Sequence, residues 1–251
     1  MDDIENIFKT LGKKAAEIKY NELLKTKQIE ANSEYELKFK HKKCRSWSGV
    51  LVVTLVMRPD KFSCPFNCHY CPNEPGQPRS YLSSEPAVAR ANQNNFDAVD
   101  QFNCRLNMLR KNGHVLNKIE IIVLGGTFSS YPRSYQEEFC RDIFYAANSF
   151  ESSEREKLSI IEEQTINETA QTRIIGISLE TRPDMITKYE LMRFRKLGCT
   201  RVQIGVQHTN NDILEKLNRG HTVEQSIKAI QLLRNYGFKI DVHIMPDLPF
   251  S

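Results

Sequence analysis

The sequence predicts an α/β protein built from parallel strands, and three observations support that prediction. Short apolar runs rich in β-branched residues recur along the chain, helical stretches separate them, and a glycine follows several of these helices. An alternation of strand and helix with short connections favours a parallel sheet with right-handed crossovers. We therefore expect about five parallel strands, arranged as an open sheet or as part of a barrel.

The N-terminal region precedes these repeats. Apolar residues recur there at three- to four-residue steps, which predicts an amphipathic helical segment to about residue 30: Ile4, Phe8, Leu11, Ala15 and Ile18. A dense positive run follows: Lys38, Lys40, Lys42, Lys43 and Arg45. Such runs are usually solvated surface, but the interleaved Phe39 and His41 also suit RNA, with phosphates on the cations and a base on a ring. We assign 1–45 to this helical and basic segment and 46–251 to the core.

Five strands are predicted in the core, at 50–57, 119–126, 173–180, 201–207 and 239–246. Helices are predicted between them, at 88–111, 135–147, 187–197 and 223–236. Gly113, Gly198 and Gly237 each follow one of these helices, where a left-handed cap is favoured. The polar, acidic stretch 150–172 is interpreted as a surface insertion. The fifth strand is expected to leave an exposed edge unless a partner or a further segment covers it.

Composition excludes several classes of protein. The 251 residues include 35 Lys plus Arg and 31 Asp plus Glu, a net charge of +4, so the chain is not polybasic. Forty per cent hydrophobic residues argue against wholesale disorder. The longest apolar run, 49–57, is far shorter than the roughly 20 residues of a membrane span. An odd number of cysteines, seven, without a secretion signal indicates a reducing, cytoplasmic compartment.

Three of these cysteines form the motif Cys64-Pro-Phe-Asn-Cys68-His-Tyr-Cys71 in the loop after the first predicted strand. Ligands of parallel α/β folds bind at the carboxyl ends of the strands, so the position suits a site. Three thiolates suit a 4Fe-4S cluster with one iron left without a protein ligand. A structural zinc normally needs four ligands; His69, His41 or a distant cysteine could supply the fourth, so zinc remains an alternative.

The motif in this setting resembles the radical S-adenosylmethionine (SAM) superfamily. Further runs, in order, resemble the radical-SAM domain of the catalytic subunit of the Elongator complex: RSWSGVLVV, GISLETRPD, GCTRVQIGVQ, LNRGHT and HIMPDLP. The resemblance extends from about Arg45 to Pro249. It implies a partial (β/α)6 radical-SAM barrel, truncated before its last strand. The acetyltransferase domain that follows in this family is absent, and the gap between the first two cysteines is shorter than usual for it.

The resemblance also implies cofactors, a substrate and partners. Cys64, Cys68 and Cys71 would hold a 4Fe-4S cluster whose fourth iron binds SAM, and reductive cleavage would give a 5′-deoxyadenosyl radical. The family is understood to use acetyl-CoA as the substrate that modifies the wobble uridine of tRNA. The chain would thus be a radical SAM tRNA-modifying transferase or a fragment of one, with a separate acetyltransferase or Elongator-type subunit as a further partner. The alternative is a non-catalytic RNA-binding or scaffold relative that keeps the cluster as a structural element.

Further residues are assigned on the same basis. Gly125 and Gly126 would let the methionine end of SAM approach the backbone, although a tight turn explains either glycine equally well, and Thr127 follows where many members have Glu. Glu180 would hold the ribose or ammonium of SAM and Arg182 a carboxylate or phosphate, unless the two form a salt bridge with each other. The remaining candidates are Gln203 and Gln207 on one strand face, His243, Met245 and Asp247 on another, Lys118 for acyl-CoA, and Tyr81 and Arg90 near substrate.

Overall fold

The computed structural model describes residues 2–30, 35, 38–40, 42–59, 64–152 and 155–251, without the side chains of Asp2 and Lys43. The chain divides into two compact units. The first comprises Met1–Gly49 and Leu106–Leu116, and the second comprises Val50–Arg105 and Asn117–Ser251. No helix among the described residues is long and apolar enough to cross a membrane.

The first unit begins with two helices rather than one continuous helical segment. Helix α1 spans Asp2–Leu11 and α2 spans Lys13–Lys25, because Gly12 between them has a left-handed φ of 84°. This break changes which residues face inward, so Leu11 and Ile18 of the predicted stripe are 73% and 62% exposed. The residues buried together instead are Ile4, Ala16, Tyr20, Tyr35 and Phe39.

The second unit contains a five-stranded, fully parallel sheet in the order β1-β2-β3-β4-β5. The strands are β1 Leu51–Val56, β2 Lys118–Leu124, β3 Arg173–Thr181, β4 Cys199–Gln207 and β5 Lys239–Ile244. The predicted α/β class and the five parallel strands are therefore confirmed. Because all four strand pairs are parallel, the carboxyl ends of the five strands lie at one edge of the sheet.

Helices connect the strands. They are α3 Pro86–Gln93, α4 Ala98–Lys111, α5 Arg133–Ser149, α6 Ile160–Asn167, α7 Lys188–Lys196, α8 Asn211–Lys216 and α9 Val223–Asn235. The predicted helix 88–111 is two helices, because Asn95 and Phe96 both have positive φ and interrupt it. Gly113, Gly198 and Gly237 have φ of 76°, 84° and 70°, as the cap prediction requires.

The polar stretch 150–172 contains a helix that the prediction of a plain surface insertion missed. Ser159 and Glu162 form a reciprocal capping box that starts α6. The carboxylate of Glu163 is fully buried and accepts two hydrogen bonds from Arg155, at 2.7 and 2.6 Å. Asn148 and the backbone N–H of Leu158 donate to the same carboxylate at 2.8 and 3.1 Å. A charged residue thus anchors this segment to the fold.

Strand β5 lies at one edge of the sheet. Within the described residues it pairs with β4 alone. Its outward side chains Val242 and Ile244 are 44% and 48% exposed. The exposed apolar edge expected from the sequence is therefore present in the part of the chain that the structure describes.

Candidate iron–sulfur and SAM site

A cavity opens at the carboxyl edge of the sheet, and the three cysteines of the CxxxCxxC motif line it together. The loop after β1 supplies Cys64, Phe66, Cys68, Tyr70 and Cys71, and Ser80 follows before α3. The ends of β2, β3 and β4 and the segment after α8 supply the rest: Gly126, Thr127, Glu180, Thr181, Arg182, Gly205, Gln207 and Arg219. Residues more than 150 positions apart in sequence therefore share one site.

Each cysteine sulfur in this cavity faces a different polar environment. The Sγ of Cys64 lies 3.5 Å from the hydroxyl of Thr127. The Sγ of Cys71 lies 2.8 Å from the hydroxyl of Ser80, and Arg79 donates to it at 3.4 Å. The Sγ of Cys68 accepts from two guanidinium groups, as described next. All three sulfurs thus have neighbours able to donate hydrogen bonds, which suits negatively charged thiolates.

Arg182 is one of the two arginines at Cys68. Its side chain is almost completely buried, and its guanidinium lies 3.4 Å from the centroid of the Phe66 ring. Nη1 donates to the Sγ of Cys68 at 3.8 Å, and Nε donates to Asp184 at 3.0 Å. The sequence-based alternative that Arg182 pairs with Glu180 is wrong, because Asp184 is its acidic partner.

Arg219 is the second arginine at Cys68, and its Nη1 lies 3.7 Å from the sulfur. Its Nε donates to Nε2 of His221 at 3.0 Å, and Nη2 donates to the carbonyl of Gly205. Burial, together with the charges of Arg219 and Arg182, lowers the pKa of His221 to about 4. His221 is therefore neutral at physiological pH and free to accept this hydrogen bond.

Glu180 faces the same cavity from the end of β3. Its carboxylate accepts from the hydroxyl of Tyr81 at 2.5 Å and from the backbone N–H of Gly126 at 3.3 Å. Burial raises the pKa of Glu180, against the lowering effect of Tyr81, His243 and the glycine N–H groups. Tyr81 is thus a partner of Glu180, rather than a group already free for the substrate contact predicted for it.

The two glycines after β2 have packing reasons of their own. A Cβ on Gly126, whose φ is +80°, would lie 2.6 Å from the carbonyl oxygen of Arg79. A Cβ on Gly125 would lie 3.0 Å from the ring of Tyr131. The turn and close packing expected as the alternative for these glycines are present. Their approach to SAM remains a prediction.

The residues present fit a cluster bound by three thiolates and an adjacent polar ligand. Two buried polar atoms on the cavity wall, the hydroxyl of Tyr70 and Oε1 of Gln207, form no hydrogen bond within the described residues. Buried polar atoms are rarely left without partners, so they mark a place for a ligand. A cubane binds each thiolate through a different iron, so its cysteines need not converge on one point.

A single zinc ion fits less well. Across the described ranges, no group of three or more His, Cys, Asp or Glu side chains is arranged around one ion. His69, one of the suggested fourth ligands, is exposed and does not line the cavity. His41 lies outside the described residues.

Several predicted site residues do not line this cavity, although His243 lies close enough to Glu180 to affect its pKa and Met245 donates its backbone N–H to the carbonyl of Gln207. Lys118 is exposed at the amino end of β2, beside a separate cleft with Arg173, at the opposite end of the strands from the cysteines. Arg90 donates to the carbonyls of Pro86 and Thr54. Four more predicted residues are absent from the cavity lining: Gln203, His243, Met245 and Asp247. His243 is half-buried rather than a core histidine, and Met245 and Asp247 follow the end of β5.

The basic run belongs to the first unit. Lys38 contacts Glu5 at 3.4 Å and lies over the ring of Tyr35, and the carbonyl of Lys40 accepts from Lys13. Lys42 and Arg45 are exposed; the side chain of Lys43 lies outside the described residues. The prediction that Phe39 stacks on a base is wrong, because its side chain is 5% exposed.

Some residues that complete the cavity have no role predicted from the sequence. Arg219 and His221 lie within the motif LNRGHT without an assigned role. Tyr70, between the second and third cysteines, and Arg79 are likewise unassigned. A signal existed for Arg219, since it is followed by Gly220 and His221 shortly after a short helix, but only the fold reveals its contact with Cys68.

The chain is similar in sequence to known proteins. The profile of the Radical SAM superfamily matches residues 62–249. A tRNA uridine(34) acetyltransferase of Methanocaldococcus jannaschii is 43% identical over 216 residues, covering 84% of this chain and 39% of that protein. Elongator complex protein 3 of Saccharomyces cerevisiae is 34% identical over 223 residues, again covering 84% of this chain and 39% of the relative.

A solved structure also resembles this fold. The archaeal Elp3 of Methanocaldococcus infernus with an N-terminal deletion aligns with a TM-score of 0.65 and 36% identity, over 81% of this chain and 39% of that one. The chain spans about 39% of the length of each of these relatives.

Proposed function

Since this chain belongs to the Radical SAM superfamily and is related to Elp3 and the tRNA uridine(34) acetyltransferases, we propose that it binds a 4Fe-4S cluster and SAM and acts on the wobble uridine of tRNA. The observation that carries the proposal is the convergence of Cys64, Cys68 and Cys71 on one cavity at the carboxyl edge of a parallel sheet. When bound and reduced, such a cluster supplies the electron that cleaves SAM.

The side chains around the cysteines have distinct roles in this proposal. The N–H of Gly126 and the carboxylate of Glu180 hold the amino or ribose groups of SAM. Gln207 offers its unpartnered oxygen to the same ligand, and Arg182 contributes positive charge. Thr127 donates to Cys64 without adding charge. Together these groups orient SAM and exclude water from it.

The tRNA and acyl-CoA parts of the proposal rest on the relatives. We propose acetyl-CoA as a substrate, with Lys118 as a contact at its separate cleft, and a separate acetyltransferase or Elongator-type subunit as a partner. All seven cysteines are free thiols, which supports a reducing, cytoplasmic location for this chemistry.

Anaerobic reconstitution with iron and sulfide tests the cluster. We expect about four irons and four sulfides per chain, as a cubane requires. Cys68→Ala should lose most of the iron, whereas Cys44→Ala, which removes an exposed cysteine outside the cavity, should retain it. Stoichiometric zinc without iron in the wild type would overturn the proposal.

The activity is tested on the loaded protein. With dithionite and SAM we expect 5′-deoxyadenosine, and with tRNA and acetyl-CoA a modified wobble uridine detected by mass spectrometry of nucleosides. A loaded cluster that gives no 5′-deoxyadenosine would contradict the SAM-cleaving part, and product without tRNA modification would restrict the proposal to SAM cleavage.

A second candidate is an RNA-binding relative in which the cluster is structural. The exposed Lys42 and Arg45 favour it, together with a groove of the first unit lined by Lys25, Arg110 and Lys111. Phosphate contacts make affinity fall with salt. Lys42→Glu should weaken tRNA binding for any sequence and flatten the salt slope by about 1, whereas the exposed Lys228→Glu on α9 should not. An unchanged slope would argue against this surface.

A further inference from the structure

Positive charge is unevenly distributed around the three cysteine sulfurs. Cys68 has two guanidinium groups within hydrogen-bonding distance, from Arg182 and Arg219, and Cys71 has one, from Arg79. Among the described residues, the one neighbour within hydrogen-bonding distance of the Cys64 sulfur is the neutral hydroxyl of Thr127. The cavity therefore presents most of its charge to one side of whatever the cysteines bind.

Arg219 differs from the other arginine at Cys68 in its partners. Arg182 is neutralised by Asp184, as buried cations usually are. Within the described residues, Arg219 donates only to neutral atoms and to sulfur: Nε2 of His221, the carbonyl of Gly205 and Sγ of Cys68. Although it has no acidic partner there, Arg219 is buried, with only 7% of its surface exposed. A buried guanidinium without a carboxylate is costly, so the anion it is placed to meet is the thiolate of Cys68.

His221 fixes the direction of this guanidinium. Its Nε2 accepts from Nε of Arg219, while Nδ1 faces the carbonyl of Thr222 at 3.3 Å and the hydroxyl of Ser226 at 3.4 Å. These contacts hold the ring in place and leave Nη1 of Arg219 directed at the sulfur. His221 is thus a positioning residue that acts through Arg219.

We propose that Arg219, oriented by His221, raises the reduction potential of the cluster. This inference rests on the proposed function. Adding one electron makes the cluster and its thiolates more negative, and a nearby cation that donates a hydrogen bond to a ligand sulfur stabilises that state. The expected contribution is about tenfold in the ratio of reduced to oxidised cluster at a fixed potential, equivalent to about 59 mV for one electron.

The test is a dithionite titration of the reconstituted full chain without SAM, followed by EPR. Arg219→Gln, which removes the charge, should lower the midpoint potential by about 59 mV. His221→Leu should shift it in the same direction by less, and His221→Gln, whose amide oxygen can accept from Nε, should restore it. Arg195→Gln removes the same charge from an arginine that caps the carbonyls of Tyr236 and Gly237 and should leave the potential unchanged.

The outcomes separate this inference from the proposed function. A wild type without a cluster refutes the proposed function itself. A wild type with a cluster whose potential is unaffected by Arg219→Gln and His221→Leu refutes the inference alone. If Arg219→Gln binds no iron, the inference is tested with Arg219→Lys and His221→Leu instead. A wild-type potential in both variants, or loss of iron from both, would overturn a role of Arg219 in setting the potential. A change only in SAM affinity would assign Arg219 to the carboxylate of SAM instead.

Discussion

Two buried charged groups in the second unit, Glu163 and Arg219, differ in whether an oppositely charged side chain pairs with them. Glu163 in the 150–172 segment is fully satisfied, with four hydrogen bonds from Arg155, Asn148 and Leu158. Arg219 at the cavity has no carboxylate partner among the described residues, and the nearby Tyr70 and Gln207 each leave a polar atom unpaired.

The difference distinguishes a charge that serves the fold from a charge that serves a site. Burial alone would raise the pKa of Glu163, but the hydrogen bonds from Arg155, Leu158 and Asn148 outweigh it, and the pKa is lowered. The protein has thus completed the environment of Glu163 from its own groups. At the cavity, by contrast, two polar atoms of the lining lack partners within the described residues, which is consistent with the ligand proposed there.

The largest effect on stability is expected at Gly126 in the cavity lining, where steric fit rather than charge limits substitution. Gly126→Ala would combine a left-handed φ with a contact at 2.6 Å to the carbonyl of Arg79, and should lower the free energy of unfolding by about 3 kcal/mol. Gly76→Ala is the matched control, because φ is +75° there but nothing lies near the new Cβ, so about 1 kcal/mol is expected. If urea denaturation shows the same loss of unfolding free energy for both variants, the backbone near Arg79 moves to accommodate the new Cβ without cost.

The second-largest effect is expected at Glu163, whose carboxylate is fully hydrogen-bonded. Glu163→Gln leaves Arg155 without its carboxylate partner. We expect the free energy of unfolding to fall by about 2 kcal/mol, measured by urea denaturation at pH 7. Because the folded pKa of Glu163 is lowered, its contribution is present above the unfolded value and is lost as pH falls below it, so the difference from wild type should shrink in acid. Glu168→Gln, at an exposed neighbour, should match wild type at every pH.

The smallest effect on stability is expected at the cavity, where Tyr70 and Tyr81 can be compared. Tyr70→Phe removes a buried hydroxyl that, within the described residues, has the Cys68 sulfur as a neighbour but makes no hydrogen bond of normal geometry, so stability should be unchanged or rise by up to about 1 kcal/mol. Tyr81→Phe removes a hydroxyl that donates to Glu180 and should cost about 1 kcal/mol. A clear loss of thermal stability in Tyr70→Phe would show that its hydroxyl is already satisfied.

Much of the fold was predictable because the strands are short apolar runs rich in β-branched residues. All five strands fall within two residues of the predicted ends. The helix predictions were wrong where one or two residues with positive φ interrupt a helical pattern of apolar residues. Gly12 splits the first helical segment, and Asn95 and Phe96 split another. Helix α6 was missed although Ser159 and Glu162 have the spacing of a capping box, because its surroundings are polar.

The site was predictable only where chemistry is concentrated in sequence. Cys64, Cys68 and Cys71 lie within eight positions, and Glu180 and Gln207 end predicted strands, so their meeting at one edge follows from a parallel sheet. The contact between Cys68 and Arg219 spans 151 positions and depends on the path of the loop after α8. No local pattern encodes such a contact.

That long separation has a consequence for synthesis on the ribosome. When the chain has been translated through β3, the three cysteines of the motif are already made, yet Arg219 and His221 are still to come. Until they arrive, Cys68 lacks the second of its two arginine neighbours. If the proposed cluster is bound, the order of synthesis favours loading it after this region has been made, when the arginines can meet Cys68.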